Sequence, residues 1–220
     1  MGHKVHPTIF RTQVIYTWPS RWYARLGSKE YRDFVQQDVK IRKFIRKIGK
    51  EAGVDQIKIE RDHNGDVSLQ ISVARPGLMI GRGGSGIEDL TKKIEKDVLE
   101  GKRKVRISIV ELKKPNLAAH VVGQQMANEI EKRMPFRRVM KQTLERIQRD
   151  GGALGARVIM GGRLNGAEIA RRETLSWGKI PLQNLRADID YALTEAHTNF
   201  GVIGIKVWVY RGDVFQQKRD

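Results

Sequence analysis

The chain has 220 residues, enough for one large domain or two ordinary ones, and 42 Lys and Arg against 25 Asp and Glu give it a formal charge of +17 and a pI near 10.3. A charge that large seeks a polyanion, nucleic acid above all, and argues against a nucleotide-cofactor enzyme. Cysteine is absent, which excludes disulfides, thiolate metal sites and cysteine nucleophiles, and no apolar run approaches the roughly 18 residues of a membrane span.

Residues 1–30 read as an arm in which Phe10, Tyr16, Trp18, Trp22 and Tyr23 interleave with Arg11, Arg21 and Arg25. Rings beside cations can stack on bases while pairing with phosphates, or they can dock the arm onto its own protein. Both readings stay open. The first 50 residues carry 12 basic and 3 acidic side chains. From Tyr31 to Ala52, Phe34, Ile41, Phe44, Ile45 and Ile48 recur at helical spacing. The opposite side holds Lys40, Arg42, Lys43, Lys47 and Lys50, a one-signed face suited to RNA.

A hairpin follows. "IKIER" and "VSLQISV" alternate apolar and polar residues around an Asn64-Gly65 turn. Pro76 ends the second strand and can open a short helical turn over Pro76–Ile80. After a run of glycines, Ser85 and Glu88 have the spacing of a capping box for a helix whose buried stripe is Ile87, Leu90, Ile94 and Val98. The basic turn "GKRK", with Lys102, Arg103 and Lys104, leads to the alternating strand "VRISIVEL".

Pro115-Asn116 begins a second half. Residues 117–134 and 136–149 predict two helices broken at Pro135. "GARVIMGG", "RRETLSWGKI" and "ADIDY" predict strands, "LTEAHTNF" a short helix, and "VIGIKVWVY" a final, mostly buried strand. Residues 212–220 form a polar tail.

The glycines decide between two phosphate-binding designs. Gly81, Gly83 and Gly86 match G-x-G-x-x-G, and Glu111 lies 25 residues further on, about where a ribose-binding acid belongs. However, Pro76-Gly77 leaves only Leu78-Met79-Ile80 before Gly81, too short for the central strand of a doubly wound sheet. The antiparallel hairpin upstream is also the wrong topology for that fold. Ile80-Gly81-Arg82-Gly83-Gly84-Ser85-Gly86-Ile87 instead reads as I-G-x-x-G-x-x-I between two helices. This is the clamp of a KH domain, in which glycine backbone and a helix N-terminus grip about four single-stranded nucleotides. Arg75, Gly81, Arg82, Gly83, Gly84 and Ser85 are its candidate residues, and Asp at positions 81 and 84 is expected to cripple it without unfolding the domain. The helix and hairpin before the clamp give the type II arrangement.

With that domain placed, "MGHKVHP", "RPGLMIGRGG", "PFRRVMK", "GRLNGAEIAR", "LRADIDYALTEAHT" and "GVIGIKVWVY" occur in order along nearly the whole chain. In this series the chain resembles the bacterial ribosomal protein S-three family. The resemblance implies an α+β protein: a type II KH domain over 31–113, with a three-stranded sheet packed with helices, then a second α+β domain over 114–211, with two helices on a mostly antiparallel sheet. It implies binding to small-subunit rRNA in the head, and a place beside the channel by which mRNA enters. There Arg137, Arg138 and Lys141 would help open structured messages. Implied neighbours are small-subunit proteins ten and fourteen, and at the channel four and five. The implied setting is the cytoplasm, bound to the ribosome, with no membrane, no small-molecule substrate, no cofactor and no metal. The family usually has two basic residues between the clamp glycines, whereas here Gly83 follows Arg82, which shifts weight to Arg75 and "GKRK". "TIFRTQVIY" also departs from the family text, so no arm contacts carry over.

Two rivals are weighed against this. For an enzyme, the five histidines show no metal-ligand spacing, and Ser176 with the scattered acids makes no recognisable triad. A free KH-domain factor in RNA processing or translational regulation would share the clamp, but it would not need the second half.

Overall fold

A computed structural model describes residues 4–62, 65–99 and 103–215. The chain divides into two compact units, one formed by Trp18–Lys113 and the other by the residues before and after that stretch. The stretch read as an arm is thus shared, residues up to Thr17 belonging to the second unit and those from Trp18 to the first.

In the first unit, β1 (Ser20–Arg21) is followed by α2 (Lys29–Ile48), β2 (Val54–Arg61), β3 (Val67–Val73), α3 (Pro76–Ile80), α4 (Ser85–Asp97) and β4 (Val105–Glu111), while α1 (Pro7–Phe10) precedes it in the chain. The sheet runs β1-β2-β3-β4, with β2 and β3 antiparallel and β4 parallel to β3. It contains the three expected strands plus β1, a two-residue edge parallel to β2. Alternation in β3 buries Val67, Leu69, Ile71 and Val73 on one face, where Ile41 and Ile45 of α2 and Leu90 and Ile94 of α4 complete the core. Ser28 caps α2 by accepting the amide N–H of Tyr31 at 3.1 Å. Ile48, expected in the buried stripe, is 45% exposed on the last turn.

In the second unit, α5 (Ala119–Glu131) and α6 (Phe136–Arg149) pack on one face of an antiparallel sheet of order β6-β5-β8-β7. Its strands are β5 (Gly155–Gly162), β6 (Arg171–Gly178), β7 (Ala187–Thr198) and β8 (Gly201–Asp213). The N-terminus of α5 has no capping side chain of its own. Asp190 on β7 accepts the Ala119 amide at 2.8 Å and pairs with Arg211 at 2.6 Å.

One expectation fails here. Residues 193–200 do not form a helix, because β7 continues through them to Thr198, paired with β8 down to Gly201. Leu, Glu and Ala are good helix formers, but alternation decides the matter: Ala192 and Ala196 are buried, while Leu193, Glu195 and His197 are exposed. Over 202–210, by contrast, β8 is mostly buried, as expected. Ile203, Ile205, Val207 and Val209 face the helices, and Lys206 between them is exposed.

Residues 4–17 fold onto this second unit. The fully buried Arg11 guanidinium donates to the carbonyls of Pro7 at 2.9 Å, Leu182 at 2.9 Å and Asn184 at 2.8 Å. The Tyr16 hydroxyl donates to the Asp188 carboxylate, and burial together with that carboxylate raises its pKa above the ordinary tyrosine value. The His6 ring meets Tyr191 edge-on at 4.7 Å. The docking reading therefore holds for Arg11 and Tyr16, and for Trp22, whose indole N–H donates to Asp38 at 2.9 Å, whereas Trp18 and Tyr23 remain 59% and 91% exposed.

Candidate nucleic-acid interface

The glycine loop lies between α3 and α4 as a single tight turn over Arg82–Gly84. Gly81 takes φ 72°, ψ −178°, a region open only to glycine, and a Cβ there would sit 3.0 Å from the Gly86 amide nitrogen. Gly83, at φ 63° and ψ 17°, is left-handed with open space above it. Gly86 instead sets the helix packing, since a Cβ would lie 2.5 Å from the Met79 carbonyl oxygen. The expectation that Asp at position 81 leaves the fold intact is therefore corrected: that site is strained for any side chain. Gly81, Arg82, Gly83 and Ser85 are exposed, and Arg75 is exposed at the N-terminus of α3.

The capping box is not formed. Gly84, not Ser85, is the N-cap of α4, and Ser85 donates its hydroxyl back to the Arg82 carbonyl at 3.0 Å, closing the turn. Glu88 lies 4.0 Å from Lys92, one turn along the helix. The first-turn amides of α4 and the Arg82 guanidinium thus share one exposed end of the unit, an arrangement suited to a phosphate.

The cations of α2 do not all face outward. Lys40, Lys43 and Lys47 are exposed, but Arg42 turns inward. Its guanidinium donates to the Ile57 carbonyl at 2.6 Å, the Pro19 carbonyl at 3.1 Å and the Ser20 hydroxyl at 2.8 Å, tying β1 and β2 to the helix. Burial lowers its pKa, with Asp38 acting against that shift. In the basic turn, Lys104 is exposed, Arg103 lies over the Phe34 ring at 4.6 Å, and Lys102 falls outside the described residues, as does Asn64 of the hairpin turn.

Asp38 is the feature that sequence reasoning missed. It is buried, pairs with Arg61 at 2.6 Å and accepts the Trp22 indole N–H at 2.9 Å, and the Trp22 ring meets Phe34 edge-on at 5.3 Å. Its position gave a usable signal: Phe34, Asp38, Ile41 and Ile45 form one i, i+4, i+7, i+11 stripe.

In the second unit, α6 is sharply two-sided. Phe136, Val139, Met140, Thr143, Leu144 and Ile147 are buried, and Arg137, Arg138 and Lys141 are exposed together. Arg137 is 74% exposed, with Glu173 at 3.8 Å. Among the described residues, no group of three or more His, Asp or Glu side chains is placed to hold a metal ion, and no helix is long and apolar enough to cross a membrane.

Comparison with known proteins agrees with this geometry on both units. The KH domain pattern matches residues 40–117, and that of "Ribosomal protein S3, C-terminal domain" matches residues 126–209. The small ribosomal subunit protein uS3 of Enterococcus faecalis is 48% identical over 220 residues, covering 100% of this chain and 97% of its own. The uS3 proteins of Desulfitobacterium hafniense and Oenococcus oeni are 47% and 48% identical, covering 100% and 97% of this chain and 96% and 80% of their own. The chain belongs to the uS3 family.

As a uS3 protein it is a structural constituent of the small ribosomal subunit, with an RNA-binding KH domain and a role in translation, and it is not an enzyme. Its α+β class and its KH-then-C-terminal order are those expected from the sequence.

Proposed function

We propose that this uS3 protein binds small-subunit rRNA in the subunit head and, with α6, lines the channel through which mRNA enters, where it aids mRNA binding and the opening of structured messages. The KH contacts in this reading come from Arg75, Gly81, Arg82, Gly83, Gly84 and Ser85, with Lys40, Lys43, Lys47, Arg103 and Lys104 adding charge around them. The setting is the bacterial cytoplasm, and the neighbours are proteins ten and fourteen, with four and five at the channel.

The observation that carries the channel role is the α6 face. Arg137, Arg138 and Lys141 are all exposed on one side of a helix whose other side is fixed in the core. Three cations on a rigid element present a fixed positive surface to a passing phosphate chain without ordering a loop. Small subunits carrying Arg137→Ala, Arg138→Ala and Lys141→Ala together should assemble normally and translate unstructured messages at the usual rate. They should slow severalfold on messages with a stable hairpin in the coding region. Equal slowing on both kinds of message would leave the channel role without support.

A further inference from the structure

The C-terminal sheet has a second face, turned away from α5 and α6. One end of it is covered: Ile180 and Leu182 pack with Ile189, Tyr210 and Trp208, and His6 lies against Tyr191. The remainder is open, and the strand register orders it in cross-strand rows. One row reads Thr174, Ile159, Lys206 and Leu193 across β6, β5, β8 and β7. The next reads Arg172, Gly161, Gly204 and Glu195. Rows on one face stand about 7 Å apart, two residues along a strand.

The glycine pair has no structural explanation. Gly161 and Gly204 are directly paired on the two central strands, and neither takes a positive φ. A Cβ at Gly161 would meet nothing within 4 Å, and one at Gly204 only the Gly161 carbonyl oxygen at an ordinary 3.9 Å. Glycine weakens a strand interior, and any β-branched residue would serve the sheet better there. What the pair does provide is bare backbone where another chain can approach closely, flanked by the exposed cations Arg172 and Lys206. Arg157, half-buried over the Trp208 ring, borders the same area. Glu195 is the single acid of the two rows.

We infer that the open part of this sheet face is a further RNA-binding surface, distinct from the KH clamp and from α6, and that it takes a segment of small-subunit rRNA. Charge selects the partner, because cations outnumber the acid and lysine is depleted at the core of protein–protein interfaces. The glycine recess lets the sugar–phosphate chain lie on the sheet, with Arg172 and Lys206 reaching its phosphates and Ile159 and Leu193 offering apolar contact to base faces.

The test uses the full-length chain and deproteinised small-subunit rRNA in filter binding across a salt series, with Gly83→Asp at the KH clamp measured in parallel. Arg172→Glu with Lys206→Glu should weaken binding about tenfold or more, and should flatten the log–log salt dependence by about 1.4, two single-strand phosphate contacts at about 0.7 each. Gly161→Val with Gly204→Val should leave the thermal midpoint at or above that of the parent, yet weaken rRNA binding with the salt slope unchanged. Parental rRNA affinity in both variants would overturn the inference. If those variants then failed to retain neighbouring proteins during subunit reconstitution, the face would belong to a protein. If a glycine variant did not fold, the charge reversal at two exposed positions would decide alone. Loss in the Gly83→Asp chain leaves this surface untouched, so failure of the clamp and failure of the sheet face are separable.

Discussion

Arg61 and Lys43 are both cations of the KH unit, and they are not interchangeable. The Arg61 side chain is 1% exposed, locked to Asp38 at 2.6 Å and Gln37 at 3.0 Å, and stacked 4.4 Å from the centre of the Phe34 ring. Removing one partner of a buried pair strands the other, at about 3–5 kcal/mol. Arg61→Ala should therefore lower the stability of the full chain by about that amount in urea unfolding, and leave the salt dependence of RNA binding unaltered. Lys43→Ala, at an exposed position, should behave in the opposite way: stability within about 0.5 kcal/mol of the parent and a salt slope shallower by about 0.7. If Arg61→Ala changed the slope but not the stability, the division between structural and RNA-facing cations would be wrong. That division was only half readable from sequence. Helical periodicity placed Arg42 on the outer side of α2, but a long side chain can fold back, and Arg42 finds three acceptors around Pro19, Ser20 and Ile57. Which acceptors lie within reach is a tertiary fact, and no spacing encodes it.

At the scale of elements, the clamp shows what a local pattern can and cannot convey. I-G-x-x-G between two helices was legible because only glycine serves a turn this tight, and Pro76 marked where α3 starts. Which glycine has which task was not. Gly81 holds a glycine-only conformation, Gly86 sets helix packing, and Gly83 and Gly84 are left-handed beneath open space, Gly84 being also the N-cap of α4. Asp tolerates the left-handed region, so Gly83→Asp should fold with a thermal midpoint within a few degrees of the parent while placing a carboxylate where a phosphate would sit. RNA binding through the KH unit should fall by an order of magnitude or more; retained affinity in a folded Gly83→Asp chain would remove the clamp from the account. Ser85 and Glu88 had the capping-box spacing, yet the helix starts one residue earlier in the turn than that spacing requires, and the Ser85 hydroxyl bonds backward. The β7 error has a similar cause. Strong helix formers concealed a two-residue alternation that the long pairing with β8 enforces.

On the whole-molecule scale, the charge of +17 was the most informative single quantity in the chain. It points to a polyanion rather than a nucleotide cofactor independently of any element, and the clamp and the later motifs carry the order of the two units. The sharing of the first 30 residues between the units was hidden, because a stretch of mixed rings and cations carries no periodic signature. Only contacts such as Arg11 with the Leu182 and Asn184 carbonyls reveal it. What unites the KH loop, the outer side of α2, the α6 face and the open sheet face is that each presents exposed cations on a fixed scaffold. The most direct test of that claim is the affinity of the full-length chain for small-subunit rRNA, measured between about 50 and 200 mM salt. Counterion release predicts a steep, linear log–log fall, at about 0.7 to 0.9 per phosphate contacted. A slope near zero would contradict the account, for it would mean that the exposed cations do not hold the RNA.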